Sequence, residues 1–163
     1  YQTGEKIPQE LVQKIIDSRN FQAGYFSLRQ LGFGILDMAW HTITKPVTED
    51  VDSFEKKILN PLDVLPPVKG TNMSVTFGHI FEGGYAAGYY GYKWAEVLSA
   101  DCFAAFEEHG LFDAATGRRF LDEILSVGGS RPALESFRAF RGRDPSIDAL
   151  LRHSGMVSES TPA

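Results

Sequence analysis

Residues 77–98, FGHIFEGGYAAGYYGYKWAEVL, constrain this chain more than any other stretch. A Gly-Gly pair separates one histidine from a tyrosine-rich run that then turns strongly amphipathic. A helix starting near Gly84, at about 100° per residue, places Tyr85, Tyr89 and Tyr92 on one narrow stripe, with Glu96 one turn further on. Tyr90 and Trp94 then point the opposite way. Gly88 and Gly91 lie beside the stripe and remove side-chain bulk where another backbone or a ligand approaches. Glycine inside a helix costs roughly 1 kcal/mol relative to alanine, so a helix that carries two needs close packing or a site to offset them.

Aromatic stripes are commonly core. Here, however, tyrosine occurs four times within residues 85–92, although phenylalanine, with 12 copies in the chain, would pack as well. Phenols buried without partners are costly, so a polar ligand is a reasonable partner for the stripe. His79 follows Phe77-Gly78 and precedes the glycine pair, outside any predicted amphipathic helix, where it is a candidate donor to a developing oxyanion.

The remaining signals are helical. Pro8 stands at a first helical turn, and Leu11, Ile15 and Ile16 recur at helical spacing up to Arg19. Asn20 is a good N-cap for a second helix, whose apolar residues, from Phe21 through Phe33 to Trp40, lie on several faces and predict an interior position. That helix should end before Pro46. Thr48–Leu59 has a threonine cap with acids early and lysines late, which suits the helix dipole. Residues 60–72 carry Pro61, Pro66, Pro67 and Gly70 and read as an irregular connector. Val75–Ile80 is a candidate short strand. After the long helix from about Gly84 to His109, shorter ones are predicted over Ala115–Ser126, Pro132–Phe140 and Ser146–His153. The class is mostly α, with residues 1–156 forming one globular unit and 157–163 a frayed, polar tail.

Composition excludes several functions. A formal charge of −5 with scattered Lys and Arg argues against nucleic acid. No apolar run approaches the roughly 20 residues needed to span a bilayer. The single cysteine, Cys102, has no internal disulfide partner, which fits a reducing, cytoplasmic setting. In SADCFAAF it reads as a small buried residue rather than a nucleophile. The opening YQTGEKIP has no leader character, and Tyr1 in place of Met predicts a start inside a longer protein. No H-E-x-x-H pair is present, and His79-Ile80-Phe81-Glu82-Gly83 has glycine where an inverted zinc motif needs its second histidine. Asp37 and His41 stand i, i+4 and could give two metal ligands, though such a pair more often orders a helix face. His109 and His153 sit at helix ends and read as structural.

The run FGHIFEGGYAAGYYGYKWAEVLSAD, followed by TGRRF, ILSVGGS and FRGRDPSIDALLRHSG, resembles the C-terminal part of the thimet-oligopeptidase family of zinc metallopeptidases, whose bacterial members include oligopeptidase A and peptidyl-dipeptidase. The opening TGEKIPQELVQKIIDSRNFQAGYFSLRQLGFGILDMAWH is similar to the same family, so the resemblance runs from Thr3 to about Gly155. It implies the helical C-terminal portion of a zincin-like catalytic domain that cleaves short peptides in a deep channel. It also implies that zinc is held by an H-E-x-x-H helix and a further glutamate that this chain does not contain, so the chain alone should be inactive. By the same resemblance His79 and Tyr92 correspond to residues that stabilise the tetrahedral intermediate, Tyr85 contacts the peptide, and Tyr89 lines the substrate wall. Gly83 and Gly84 correspond to a flexible glycine loop that adjusts on closure. The implied partners are a short peptide and the remainder of the peptidase domain, with neither nucleic acid nor membrane, and self-association of the isolated chain is expected. The rival reading is a stand-alone helical module that grips peptides with the tyrosine and glycine surface and does no chemistry.

Overall fold

The computed structural model describes residues 2–157. Seven α-helices follow one another: α1 (Gln9–Ser18), α2 (Ala23–His41), α3 (Val51–Leu59), α4 (Gly91–His109), α5 (Ala114–Phe120), α6 (Ala133–Arg141) and α7 (Asp148–His153). Single 3-10 turns occur at Asn60–Leu62 and Gly78–Ile80, and α5 runs on into a π turn over Leu121–Leu125. There is no strand among the described residues, so the mostly α class holds. Val75–Ile80 is a turn and a 3-10 helix instead of a strand: Phe77 N–H donates to Met73 O at 2.9 Å, and Phe81 N–H to Gly78 O at 2.9 Å.

Two packed groups of side chains organise the chain. In the C-terminal half, α4, α5 and α6 close around Cys102, Ala105, Phe137 and Phe140, with Leu98, Phe106, Phe120 and Ile124 against them. Phe120 meets Phe140 edge-on at 5.4 Å and Phe106 at 5.8 Å, the geometry that ring quadrupoles favour. A buried carboxylate then ties in the segment before α7. Asp101 on α4 accepts from Arg143 Nη1 and Nη2 at 2.7 and 2.6 Å, from Arg141 Nε at 3.2 Å and from the Ser146 amide at 2.8 Å. In the other half, α2 packs on α3 through Trp40 and Phe54, 4.1 Å apart, and Leu36 and Ile80 are fully buried. Phe26, Leu31 and Ile35 of α2 remain exposed, so this helix is only partly interior.

Several helix boundaries differ from the sequence reading, α6 and α7 by one or two residues at Ala133–Arg141 and Asp148–His153, and four others for a plain local reason. Helix α2 starts after Gln22, in the left-handed region at φ 56°, and not at Asn20, because residues 19–22 form a turn in which Ala23 N–H donates to Asn20 O. Helix α3 is capped by Asp50, whose carboxylate accepts from the Ser53 amide at 2.9 Å, and not by Thr48. Helix α5 begins at Ala114 behind a cap by Asp113, which accepts from Thr116 N at 2.7 Å. The largest difference is α4, which begins at Gly91 instead of near Gly84. Gly83 and Gly84 have φ of 73° and 79°, and Ala87 has 57°, all outside the right-handed helical basin. The tail expected from Val157 lies, beyond Val157 itself, outside the described residues.

Candidate functional site

The tyrosine-rich segment is not a helical stripe, yet it gathers the same side chains. Residues 85–91 form successive turns, with Gly88 N–H donating to Tyr85 O at 2.8 Å and Gly91 N–H to Gly88 O at 3.0 Å. These turns fold Tyr85 back over the first turn of α4, where its ring stacks on Tyr92 with centroids 5.6 Å apart. Tyr89 meets Tyr92 at 5.1 Å and His79 at 5.9 Å, and His79 meets Tyr85 at 5.0 Å. All four predicted ring residues therefore form one contiguous group. Gly83 and Gly84 lie in the loop joining His79 to Tyr85. A Cβ on Gly83 would sit 3.2 Å from the Tyr85 ring, so glycine there serves both the positive φ and the close ring. Gly91 has open space where a Cβ would be, and the close approach is made elsewhere: a Cβ on Gly34 of α2 would lie 3.5 Å from Tyr90 Cα.

The members of the group differ in burial. Tyr89 is 9% exposed and its hydroxyl donates to Gln30 Oε1 at 2.9 Å, so this phenol is already satisfied within the chain. Tyr85 and Tyr92 are 39% and 43% exposed, and His79 is exposed with one face stacked on Phe77 at 4.8 Å. Tyr92 also lines a concavity of about 280 Å³ between α2 and α4, along with Gln30, Gly34, Met38 and Glu96. Burial pushes the Tyr89 phenol above its ordinary pKa, with Glu96 adding to the rise and Arg29 opposing it. For Tyr92 the first cause is hydrogen bonding with Tyr85, then burial and the nearby phenols, and again the pKa rises. Raised phenols are neutral donors at neutral pH. Such donors supply hydrogen bonds to developing negative charge without adding positive charge.

The other candidates are structural. His109 Nδ1 pairs with Ala105 O at 2.9 Å at the end of α4, and His153 Nε2 with Glu107 Oε1 at 2.9 Å. Burial, aided by Asp101, pushes the Cys102 thiol up to about 11, which leaves it a protonated core side chain. His41 pairs with Asp37 at 3.0 Å, the helix-ordering arrangement. Among the described residues no group of three or more His, Cys, Asp or Glu could hold a metal ion, so the donors present here do not fit a zinc site.

Two residues of consequence escaped the sequence reading in this role. Asp37 is fully buried and its carboxylate accepts from the Ala87 and Tyr89 amides at 2.9 and 3.0 Å. Glu55 is also buried and accepts from the Met73 and Ser74 amides and the Ser74 hydroxyl, at 2.7, 2.6 and 2.6 Å. A signal existed for Asp37: an acid inside the apolar run GFGILDMAW needs an internal partner. Which amides it would find was not visible.

The class defined by this geometry is a helical segment that gathers phenol and imidazole side chains on one surface, with no metal-binding group of three or more His, Cys, Asp or Glu among the described residues. The sequence pattern of Peptidase family M3 matches residues 1–156, and the chain belongs to that family. It is 48% identical over 159 residues to oligopeptidase A of Haemophilus influenzae, covering 97% of this chain and 23% of that protein. It is 46% identical over 168 residues to the organellar oligopeptidase A of Arabidopsis thaliana (100% and 21%). With dipeptidyl carboxypeptidase of Escherichia coli the identity is 39% over 158 residues (96% and 23%). The chain thus spans under a quarter of the length of the curated relatives it matches.

Proposed function

We propose that this chain is one wall of the peptide cleft of a zinc metallo-oligopeptidase. The observation that carries the reading is the single group formed by His79, Tyr85, Tyr89 and Tyr92, with the Tyr85 and Tyr92 rings open to solvent. Tyr92 and His79 donate hydrogen bonds to the scissile carbonyl oxygen as it gains charge. Tyr85 contacts the peptide backbone, and Tyr89, fixed by Gln30, forms the floor against which the others pack. Gly83 and Gly84 let the loop between His79 and Tyr85 adjust to the bound peptide. Zinc is bound by polypeptide outside this chain, and residues 1–163 alone are inactive. We place the full-length protein in the cytoplasm, a reading supported by the relative named as a probable cytosolic oligopeptidase A in Arabidopsis thaliana. Among the described residues no helix is long and apolar enough to cross a membrane.

The test uses the full reading frame and a short fluorogenic peptide. Chelator-sensitive cleavage is expected, and Tyr92→Phe should lower kcat on the order of 10²–10³-fold, the usual consequence of losing one oxyanion donor. The melting temperature should barely move, because an exposed hydroxyl is removed. Chelator-resistant cleavage, or a Tyr92→Phe loss of stability that matches its loss of turnover, sinks the reading. Peptide binding without cleavage would favour a non-catalytic module.

A further inference from the structure

The segment that carries His79 and Tyr85 is slung between two buried carboxylates, each of which holds a pair of backbone amides. At its entry, Glu55 of α3 accepts from the Met73 and Ser74 amides. Trp40 Nε1 locks the same point by donating to Ser74 Oγ at 2.8 Å. Met73 O then closes the turn to the Phe77 amide at 2.9 Å, and the Phe77 ring lies parallel to His79 at 12°. At the exit, Asp37 of α2 accepts from the Ala87 and Tyr89 amides. The turn closed from Gly88 N–H to Tyr85 O then places Tyr85. Between the anchors stand Ile80, fully buried, and the positive-φ glycines 83 and 84.

Ala87 shows that the exit anchor carries load. It sits at φ 57°, a left-handed conformation disfavoured for a residue with a Cβ. Such a residue persists only where its surroundings over-determine it, and strain of this kind gathers at functional sites. What holds it is visible: its amide donates to a carboxylate with no exposure to water, whose Oδ1 also lies 3.0 Å from His41 Nδ1.

We infer that Asp37 and Glu55 are positioning residues for the peptide-cleaving site, fixing His79 at one end and the Tyr85–Tyr89–Tyr92 group at the other. They never touch substrate. Each ties one end of a glycine-bearing loop to a rigid helix, leaving the stretch around Gly83 and Gly84 to adjust. The inference rests on the peptide-wall reading above. Misplacing a donor by about 1 Å costs on the order of 10²-fold in rate, so a slackened anchor is read in turnover before it is read in binding.

The experiment is a double-mutant cycle in the full-length protein with a short fluorogenic peptide, measuring kcat and KM for Asp37→Asn, Tyr92→Phe and the pair. Asparagine keeps the size of the side chain but replaces one of the two amide acceptors with a donor. Asp37→Asn should lower kcat on the order of 10- to 100-fold with a far smaller change in KM. In the Tyr92→Phe background the same substitution should cost much less, because groups that act as a unit are non-additive. Unchanged kcat in Asp37→Asn, or the same fold-loss in both backgrounds, overturns the inference while leaving the wall reading intact. No loss on Tyr92→Phe removes the wall reading and the inference together. Should Asp37→Asn fail to fold, Glu55→Gln at the other anchor is judged by the same criteria, with His79→Gln as its partner in the cycle.

Discussion

Tyr85 and Tyr92 show how two phenols are kept as donors. Their rings stack at 5.6 Å near the surface, and hydrogen bonding between them is the first cause of the raised Tyr92 pKa. A raised phenol stays protonated through the neutral range, and its donor is lost only as pH climbs through a value above about 10. The fold-loss caused by Tyr92→Phe should therefore be constant from about pH 6 to 9. A loss that shrinks towards pH 9 would mean that the hydroxyl ionises there, and the donor role would fall. The residue types of this group were readable in the sequence, since tyrosine in place of phenylalanine signals a need for hydroxyls. Their geometry was not. The helical stripe gave the correct neighbours because residues 85, 89 and 92 also come together in successive turns, with Asp37 drawing two of the intervening amides out of any helix.

At the scale of elements, helix identity was legible and helix ends were not. The helices were readable from apolar spacing and from charge order, but their ends follow local competition that neither signal carries: α3 and α5 start where a carboxylate takes a backbone amide, Asp50 from Ser53 and Asp113 from Thr116. The clearest element-scale prediction concerns Asp101, where α4 holds Arg141, Arg143 and the Ser146 amide. Burial pushes this carboxyl up, but the Arg143 hydrogen bond, the Ser146 amide and the two guanidinium charges outweigh it, and the pKa ends below its usual range. The sign follows from linkage. A carboxylate held low in the folded state contributes stability above about pH 4, and that contribution drains as pH falls through the lowered value. Asp101→Asn should remove it at neutral pH and leave the Arg143 guanidinium facing an uncharged partner, while Arg141 keeps its bidentate pair with Glu108. Hydrogen exchange of the full-length variant should show lost protection over residues 141–153 and little change in α1 or α3. Uniform loss across all helices would mean that Asp101 supports the whole domain rather than the α4–α7 join.

On the scale of the whole molecule, the two packed groups leave much apolar surface uncovered. A concavity of about 570 Å³ between α2, α4 and α7 is lined by Leu31, Tyr90, Trp94, Val97, Ile147 and Leu150. Phe26 and Ile35 are exposed on α2, Ile15 and Ile16 on α1, and Phe112 is 98% exposed beyond α4. An apolar patch larger than a few hundred Å² is unusual on a free-standing monomer, and since the chain spans under a quarter of the length of its relatives, further polypeptide is the cover we expect. Such a cover would account for the all-round apolar character of α2, which the sequence alone reads as interior and whose Phe26, Leu31 and Ile35 are exposed here. Residues 1–163 expressed alone should therefore bind a hydrophobic dye and self-associate in sedimentation, and co-expression with the rest of the reading frame should suppress both. Each large apolar side chain so covered contributes roughly 1.5–3 kcal/mol, so Leu31→Ser with Ile35→Ser should weaken self-association of the isolated chain measurably. The same pair of changes in the full-length protein should lower its melting temperature if further polypeptide buries this face there. A monomeric, dye-silent chain with the wild-type sequence would show that α2 needs no cover and that this face is solvent-adapted.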